Sequence, residues 1–294
     1  MSVIKTVAAI LVVVGDLHTN SVSGLVPPVV YRSNGNKEYS NEFQLWLWNR
    51  WLEFWEFIAE LKKTTGLPVV FVVNGDSVDK NKHAPHELID LDPNVILNTA
   101  IEVMEPPMEL ADWWYIVRGT PSHTGKGGWL EERLAKELAQ TASYRNGVRP
   151  QAKLGAENTW IYSWWKLYLE IGGVTFDIMH RPESTSLRTW TIGGGSMRIA
   201  KTVVDKYQKT GNIPPNVAIR NHFHHWEDSG TNHATHAFIL PAWQGPSSYT
   251  IGRGIDPEGH EYGGIYFICR DGKYRPFEPI VYMQKRREPE RFII

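Results

Sequence analysis

The chain has 294 residues, 42% hydrophobic and 21% charged, with 31 Lys and Arg against 32 Asp and Glu. That balance excludes collagen-like, coiled-coil and largely disordered chains, and a net charge of -1 gives no global drive toward nucleic acid or membrane. The single cysteine, Cys269, excludes an internal disulfide and a multi-cysteine metal site, and its apolar surroundings read as a small buried hydrophobe.

Residues 7–14 form the longest fully apolar run, too short to span a bilayer. No small-residue cleavage site follows it, so it reads as a strand buried on both faces, and a cytoplasmic protein without signal peptide or membrane span is expected. Residues 19–40 read as a long functional loop. Residues 41–65 read as a helix, with Asn41 and Gln44 as a capping pair and Gly66 and Pro68 as the stop. Trp46, Trp48, Trp51, Trp55, Phe43, Phe54, Phe57 and Leu61 make it apolar nearly all round. It reads as a core helix between layers; the alternative is a homodimer contact on one face.

Residues 69–73 read as a second valine-rich strand, and residues 80–93 as polar loop. Residues 95–110 read as a helix, bent or broken at Pro106-Pro107. A third strand over 113–117 precedes a helix over 129–141, where Leu130, Leu134 and Leu138 recur at spacing four. Residues 159–171 and 174–180 read as two strands around Gly172-Gly173. A helix over 196–209 and strands over 217–220, 234–240, 264–269 and 279–283 complete the pattern. The basic C-terminal residues Lys285, Arg286, Arg287 and Arg291, diluted by Glu288 and Glu290, read as a solvated tail. Early strand-helix-strand units followed by a strand-rich half predict one α/β layered domain with two sheets over residues 1–294.

The only two Gly-Asp dipeptides, Gly15-Asp16 and Gly75-Asp76, each close a valine-rich strand. Ligands in α/β sheets gather at the carboxyl ends of strands, and glycine there lets the chain turn so that the next carboxylate projects into the crevice. His18 follows Asp16 by two residues, and extended residues i and i+2 point the same way. His180 ends a predicted strand, and His222 and His224 form a His-x-His pair after another. His225 is expected to point away. Asp16, His18, Asp76, His180, His222 and His224 thus all lie at strand ends. Mixed carboxylate and imidazole ligands suit manganese, iron, nickel, cobalt or zinc. Six exceed the need of one tetrahedral site and suit two metals sharing a carboxylate, ~3.5–4 Å apart.

The ordered blocks Gly15-Asp16-Leu17-His18, Gly75-Asp76-Ser77-Val78-Asp79, Gly119-Thr120-Pro121-Ser122-His123, His180 and Asn221-His222-Phe223-His224 resemble the calcineurin-like metallophosphoesterase superfamily. They run from residue 15 to 224; the remaining C-terminal residues carry no motif of this pattern. The resemblance implies a four-layer α/β/β/α sandwich with two mixed β-sheets flanked by helices. It implies that Asp16, His18 and His224 hold one metal, that His180 and His222 hold a second, and that Asp76 bridges them. Asp79 would fix a ligand or loop from behind.

Two blocks depart from the family pattern. Its Gly-Asn-His motif is replaced here, so Thr120 stands in the place of the asparagine ligand, binding metal or holding a water. His123, two residues displaced, is the candidate catalytic histidine. Asn221 stands where the family usually has Gly, which changes the turn, and asparagine tolerates left-handed backbone.

The implied activity is a binuclear metal-dependent phosphodiesterase, in which a metal-activated hydroxide attacks in line and His123 protonates the leaving oxygen. Two divalent transition-metal ions are the expected cofactors, manganese foremost, and a phosphate ester is the expected substrate. The alternatives are a phosphomonoesterase, a nuclease or nucleotide-directed enzyme in which exposed tryptophans stack bases, or a catalytically weak metal-binding scaffold. Arg118, Arg181 and Lys126 lie near the motifs and are expected to be solvated rather than to grip phosphate. His83 and His86 are expected to be exposed loop residues. Specificity is expected to reside in residues 226–262 and 19–40.

Overall fold

The structure is a computed structural model that describes residues 7–80, 84–145, 153–154, 160–183, 194–252, 258–275 and 279–284. The expectations placed on Thr159, His83 and the basic C-terminal tail lie outside the described residues.

Strands Ala9–Val14, Val69–Asn74, Trp113–Val117 and Ser163–Trp164 run parallel in a first sheet. Glu261–Arg270 joins antiparallel to Ala9–Val14 and carries Lys273–Tyr274 and Ile280–Met283 beyond it. A second sheet has Val174–Ile178, Val217–Arg220 and His236–Ile239 parallel at its centre. Leu167–Ile171 and Glu227–Asp228 are its antiparallel edges.

The period-two alternation of strands sorts the side chains into layers. Leu11, Val13, Val70 and Val72 face the second sheet and pack with Phe176, Ile178, Ile219, Phe238 and Phe267. Ile10, Val12, Val14, Phe71 and Val73 face the other way, onto Trp51, Phe54, Trp55, Ile58, Leu97 and Leu134 of the helices. On the far side, Ala218, Ala237 and Ile239 pack on Ile199, Ala200 and Val203 of helix Gly194–Lys209. The architecture is a four-layer α/β/β/α sandwich, the fold class expected. Both faces of each central strand are covered, which is why residues 9–14 are apolar throughout. Among the described residues no helix is long and apolar enough to cross a membrane.

The tryptophan helix Glu42–Thr65 forms as its ends dictate. Gln44 N–H donates to Asn41 Oδ1 at 2.9 Å, and Asn41 N–H donates to Gln44 Oε1 at 3.1 Å. Such a capping box contributes about 1 kcal/mol. Gly66 ends the helix in the left-handed conformation. Trp51 and Trp55 are buried, as a core helix requires.

Three expectations change. Of the expected bend or break at Pro106 and Pro107 there is no break, since helix Pro93–Leu110 runs through both. Pro107 removes the donor for the Val103 carbonyl, and the indole Nε1 of Trp51 supplies one at 3.0 Å. The stretch 159–171 is not one strand, because Ser163–Trp164 pairs with Trp113–Val117 in the first sheet while Leu167–Ile171 pairs with Val174–Ile178 in the second. The chain crosses between sheets there, and a local pattern cannot show that. The loop 19–40 contains the hairpin Val29–Tyr31 with Lys37–Tyr39, whose three-residue strands are too short to show alternation.

A fully buried arginine ties the second sheet to the segment after His180. Arg220 Nε and Nη2 meet both Glu183 oxygens at 3.0 and 2.9 Å, and Nη2 also meets Asp177 Oδ1 at 3.0 Å. Burial raises the pKa of Glu183, but the hydrogen bonds and charge of Arg220 outweigh it and hold that carboxyl below its ordinary value. Arg220→Met takes the guanidinium from both carboxylates, leaving Asp177 with Lys166 and Tyr207 and Glu183 with Lys206 at 3.6 Å, and removing one partner of a buried pair costs about 3–5 kcal/mol. The expected result is a matching loss of unfolding free energy in urea at pH 7. Because the depressed Glu183 stabilises the fold above its unfolded pKa and loses that effect as pH falls through its folded value, the variant's deficit narrows in acid. A deficit that does not change between pH 7 and pH 3 contradicts this assignment.

Candidate metal centre

The parallel strands of both sheets end at one edge of the sandwich. There Asp16 and His18 follow Ala9–Val14, Asp76 follows Val69–Asn74, and Thr120 follows Trp113–Val117. His180 follows Val174–Ile178, and His222 and His224 follow Val217–Arg220. Seven non-glycine residues among those described have positive φ, and five of them are Asp16 (52°), His18 (45°), Asp76 (48°), His222 (79°) and His224 (56°). Such conformations cost energy and persist where the surroundings impose them, often at functional sites. They also correct two expectations. Asp16 and His18 do not share a face by being extended, since both are left-handed. The left-handed residues of the last block are His222 and His224, whereas Asn221 does not have positive φ.

Three groups of side chains converge closely enough to hold an ion: Asp16, His18 and His224; Asp76, His180 and His222; and His18, Asp76 and His123. Asp16 Oδ1 lies 3.3 Å from His224 Nε2, 3.7 Å from His18 Nε2 and 3.8 Å from His180 Nε2. Asp76 Oδ2 lies 3.0 Å from His180 Nε2. His222 N–H donates to Asp16 Oδ2 at 2.9 Å, tying the two sheets together across the site.

These residues fit divalent cations by a property of the protein itself. Asp16 Oδ1, His18 Nδ1 and Nε2, and His180 Nε2 are buried and make no hydrogen bond. Buried polar atoms are normally satisfied, so several orphans aimed into one space imply a missing partner. The donor set, carboxylate oxygen with imidazole nitrogen, is that of manganese, iron, cobalt, nickel and zinc.

Electrostatics agree. Burial pushes the Asp76 and Asp16 carboxyls up, but neighbouring imidazoles win and hold both well below the usual range. Burial likewise opposes the charged forms of His18 and His180. The carboxylates around them prevail and raise His18 to about 10 and His180 to about 9. His222 is lowered to about 4, by burial and then by the charge of His180, and burial also lowers His224. The protein thus keeps ionised carboxylates beside protonated imidazoles where cations would otherwise stand.

The third block shapes one side of the centre. Thr120 N–H donates to Asp76 Oδ1 at 2.6 Å, and its hydroxyl donates to Asp76 Oδ2 at 3.0 Å. That approach requires Gly119, because a Cβ there would lie 2.1 Å from Asp76 Oδ1. His123 Nδ1 is 3.0 Å from Asp79 Oδ1, and the other oxygen of Asp79 lies 3.4 Å from His18 Nδ1. Asp79, held down to about 2 by His123 and His18 against its burial, therefore orients two imidazoles at once.

One buried residue escaped the sequence reading. Glu131 Oε1 accepts from Ser77 N–H and Ser77 Oγ, both at 3.0 Å, and Oε2 accepts from Gly119 N–H at 2.6 Å. It clamps the Asp76 and Thr120 loops from beneath. Only its place in the first turn of helix Trp129–Arg145 gave a signal, and an acidic residue there is ordinary. Glu131→Gln turns an amide NH2 toward one of those backbone donors. We expect at least a tenfold loss of metal affinity with the fold retained, measured by competition against a chromophoric chelator. Unchanged affinity would remove Glu131 from the site.

Of the remaining candidates, Arg118 is not solvated. Its guanidinium bonds Ser163, the Gly127 carbonyl and Glu132. Arg181 and Lys126 are exposed, and His86 is exposed as expected, although it sits in a single 3-10 turn, Pro85–Glu87, instead of a loop. His225 turns to Glu227 at 2.9 Å.

No protein-family model matches the sequence, and no curated protein matches it. Among solved structures the chain is similar to Vps29 complexed with zinc from Entamoeba histolytica, with 11% identity over 93% of this chain and 98% of that one and a TM-score of 0.42. It is similar to a dimetal phosphatase from Danio rerio, with 9% identity over 90% and 93% of the two chains and a TM-score of 0.42. It is also similar to a conserved protein described as a predicted phosphoesterase from Streptococcus pneumoniae, with 9% identity over 94% and 98% and a TM-score of 0.33.

Proposed function

We propose that this chain is a divergent calcineurin-like metallophosphoesterase, a binuclear metal-dependent hydrolase of phosphodiesters. The observation that carries the reading is the convergence of Asp16, His18 and His224 with Asp76, His180 and His222 around buried atoms that make no hydrogen bond. Asp16, His18 and His224 would hold one ion and His180 and His222 the other, with Asp76, which groups with His18 as well as with His180, serving both. Manganese is the first candidate, with iron, nickel, cobalt or zinc as alternatives. When bound, two divalent ions neutralise phosphoryl oxygens and acidify water.

The chain's own residues supply the rest. Thr120 spends its N–H and its hydroxyl on the Asp76 carboxylate, so we assign it to fixing that ligand. His123, held at Nδ1 by Asp79, presents its other nitrogen to deliver a proton to the leaving oxygen. A diester is favoured over a monoester because Arg118 is committed to Glu132, and a dianionic phosphate asks for more positive charge than a monoanionic one.

The test is hydrolysis of bis-p-nitrophenyl phosphate against p-nitrophenyl phosphate by metal-stripped protein with manganese, nickel or zinc restored. We expect metal-dependent cleavage with the diester preferred. A preference for the monoester overturns the subclass. Stoichiometric metal binding without turnover of either ester leaves a metal-binding scaffold in place of an enzyme.

A further inference from the structure

Asn221 departs from the family pattern, and the structure gives it a partner that the pattern does not contain. Asn74 ends its strand in the first sheet, Asn221 follows its strand in the second, and both are fully buried. Asn74 Nδ2 donates to Asn221 Oδ1 at 2.8 Å, an amide bridge across the two sheets. A buried neutral hydrogen bond of this kind is worth having only because each amide left alone would cost about 1–3 kcal/mol.

Everything bonded to this bridge leads to one ligand group. Asn74 lies two residues before Asp76, and Asn221 directly precedes His222. His180 is bound to both asparagines: its Nδ1 donates to the Asn74 carbonyl at 2.8 Å, and its own carbonyl accepts from Asn221 N–H at 2.9 Å. Asn74 Nδ2 also reaches the carbonyl of Met179 at 3.3 Å. The bond at Nδ1 turns the Nε2 of His180 toward Asp76, where a metal ligand must point. The amide of Asn221 fills the space against Gly15, where a Cβ would lie 2.6 Å from Asn221 Nδ2. One pair of side chains thus adjoins Asp76, His180 and His222 in the chain or by hydrogen bond, beside the grip of Thr120 on Asp76. Asp16, His18 and His224 have no hydrogen bond to either amide and join that group one step further out, through Asp16 N–H to the Gly75 carbonyl, His18 N–H to the Asp76 carbonyl and His222 N–H to Asp16 Oδ2, each at 2.9 Å.

We infer that Asn74 and Asn221 are positioning residues that preorganise the Asp76, His180 and His222 half of the centre, an inference that rests on the metallophosphoesterase reading. It supplies what the third block lacks. With Thr120 in place of an asparagine ligand, that half has one donor fewer, and preset geometry lowers the cost of binding to those that remain.

The experiment titrates zinc into full-length protein carrying 15N-labelled histidine and follows each imidazole. The proteins compared are wild type, Asn74→Leu, Asn221→Leu, the double variant, and Asn221→Gly, which removes the amide without adding bulk. In the single variants the zinc midpoint read from His180 and His222 is expected to rise 10- to 100-fold, while that read from His18 and His224 moves less than about threefold. The double variant is expected to lose no more than the worse single one, because the two amides act as a pair. Equal shifts in all four imidazoles, with a lowered melting temperature, would reduce the bridge to general stability and overturn the inference. So would unshifted midpoints in folded variants. If wild-type protein takes up no zinc, the metallophosphoesterase reading itself fails. The bridge is then judged on the hydrogen-bonded Nδ1 proton of His180, expected to be protected from exchange in wild type and exposed in the variants. Persistent protection in the variants overturns it.

Discussion

Asp76→Asn is expected to lower kcat/KM for a metal-dependent diester by at least about 1,000-fold, which corresponds to about 4 kcal/mol of transition-state stabilisation. The size follows from how much converges on one carboxylate. Asp76 accepts two hydrogen bonds from Thr120, lies 3.0 Å from His180 Nε2, and belongs to the group with His18 and His123 as well as to that with His180 and His222. An amide keeps the shape but removes the charge that would offset two cations. It also offers one oxygen where two are used, so an NH2 must face either Thr120 or His180. The variant should fold, because Asn is nearly isosteric, and should retain about one metal equivalent instead of two. Circular dichroism, metal analysis of dialysed protein and steady-state kinetics read the three claims separately. Retention of more than a tenth of the activity would mean that Asp76 bridges nothing.

What the sequence discloses and what it hides divide along physical lines. Unbroken valine-rich runs disclosed the central strands, because a strand covered on both faces must be apolar at every position. The Asn41 and Gln44 capping box was legible because both partners lie within one turn. The Gly-Asp and His-x-His blocks were legible because the residue types carry the chemistry themselves. The hidden features all depend on distant segments. Nothing near Pro107 shows that Trp51 will satisfy the carbonyl it orphans. Nothing near Trp165 shows that the chain leaves one sheet for the other. Glu131 and the Asn74–Asn221 bridge look like ordinary polar residues until two loops from different strands close on them. The left-handed backbone at Asp16, His18, Asp76, His222 and His224 was hidden for the same reason, since tertiary constraint imposes it against local preference. The candidate ligands that converge were thus legible, and the residues that hold them in place were not.

That arrangement has a measurable cost in protons. Metal uptake by the stripped protein is expected to release close to two protons at pH 7.5, because His18 and His180, raised to about 10 and about 9 by the carboxylates around them, are protonated there and must lose those protons to ligate. His222 and His224 are lowered and contribute none. Apparent affinity should therefore climb about tenfold per pH unit for each proton displaced, until pH passes those values. The same shifts fix the stability of the stripped protein. A histidine whose folded pKa is raised stabilises the fold fully below its unfolded pKa, ~6.5, and the contribution fades as pH rises through about 9 to 10. The depressed carboxyls of Asp16, Asp76 and Asp79 act in the opposite sense, stabilising above ~3.9 and failing as pH falls below it. Metal-free protein should thus melt progressively earlier as pH rises from ~6.5 to about 9 to 10, whereas metal-loaded protein should not, since the cations replace the lost protons as partners for the same carboxylates. Calorimetric titration in two buffers of different ionisation enthalpy counts the protons. A count near zero at pH 7.5 would mean that both imidazoles are already neutral, and that the carboxylates of the empty site are balanced by something other than His18 and His180.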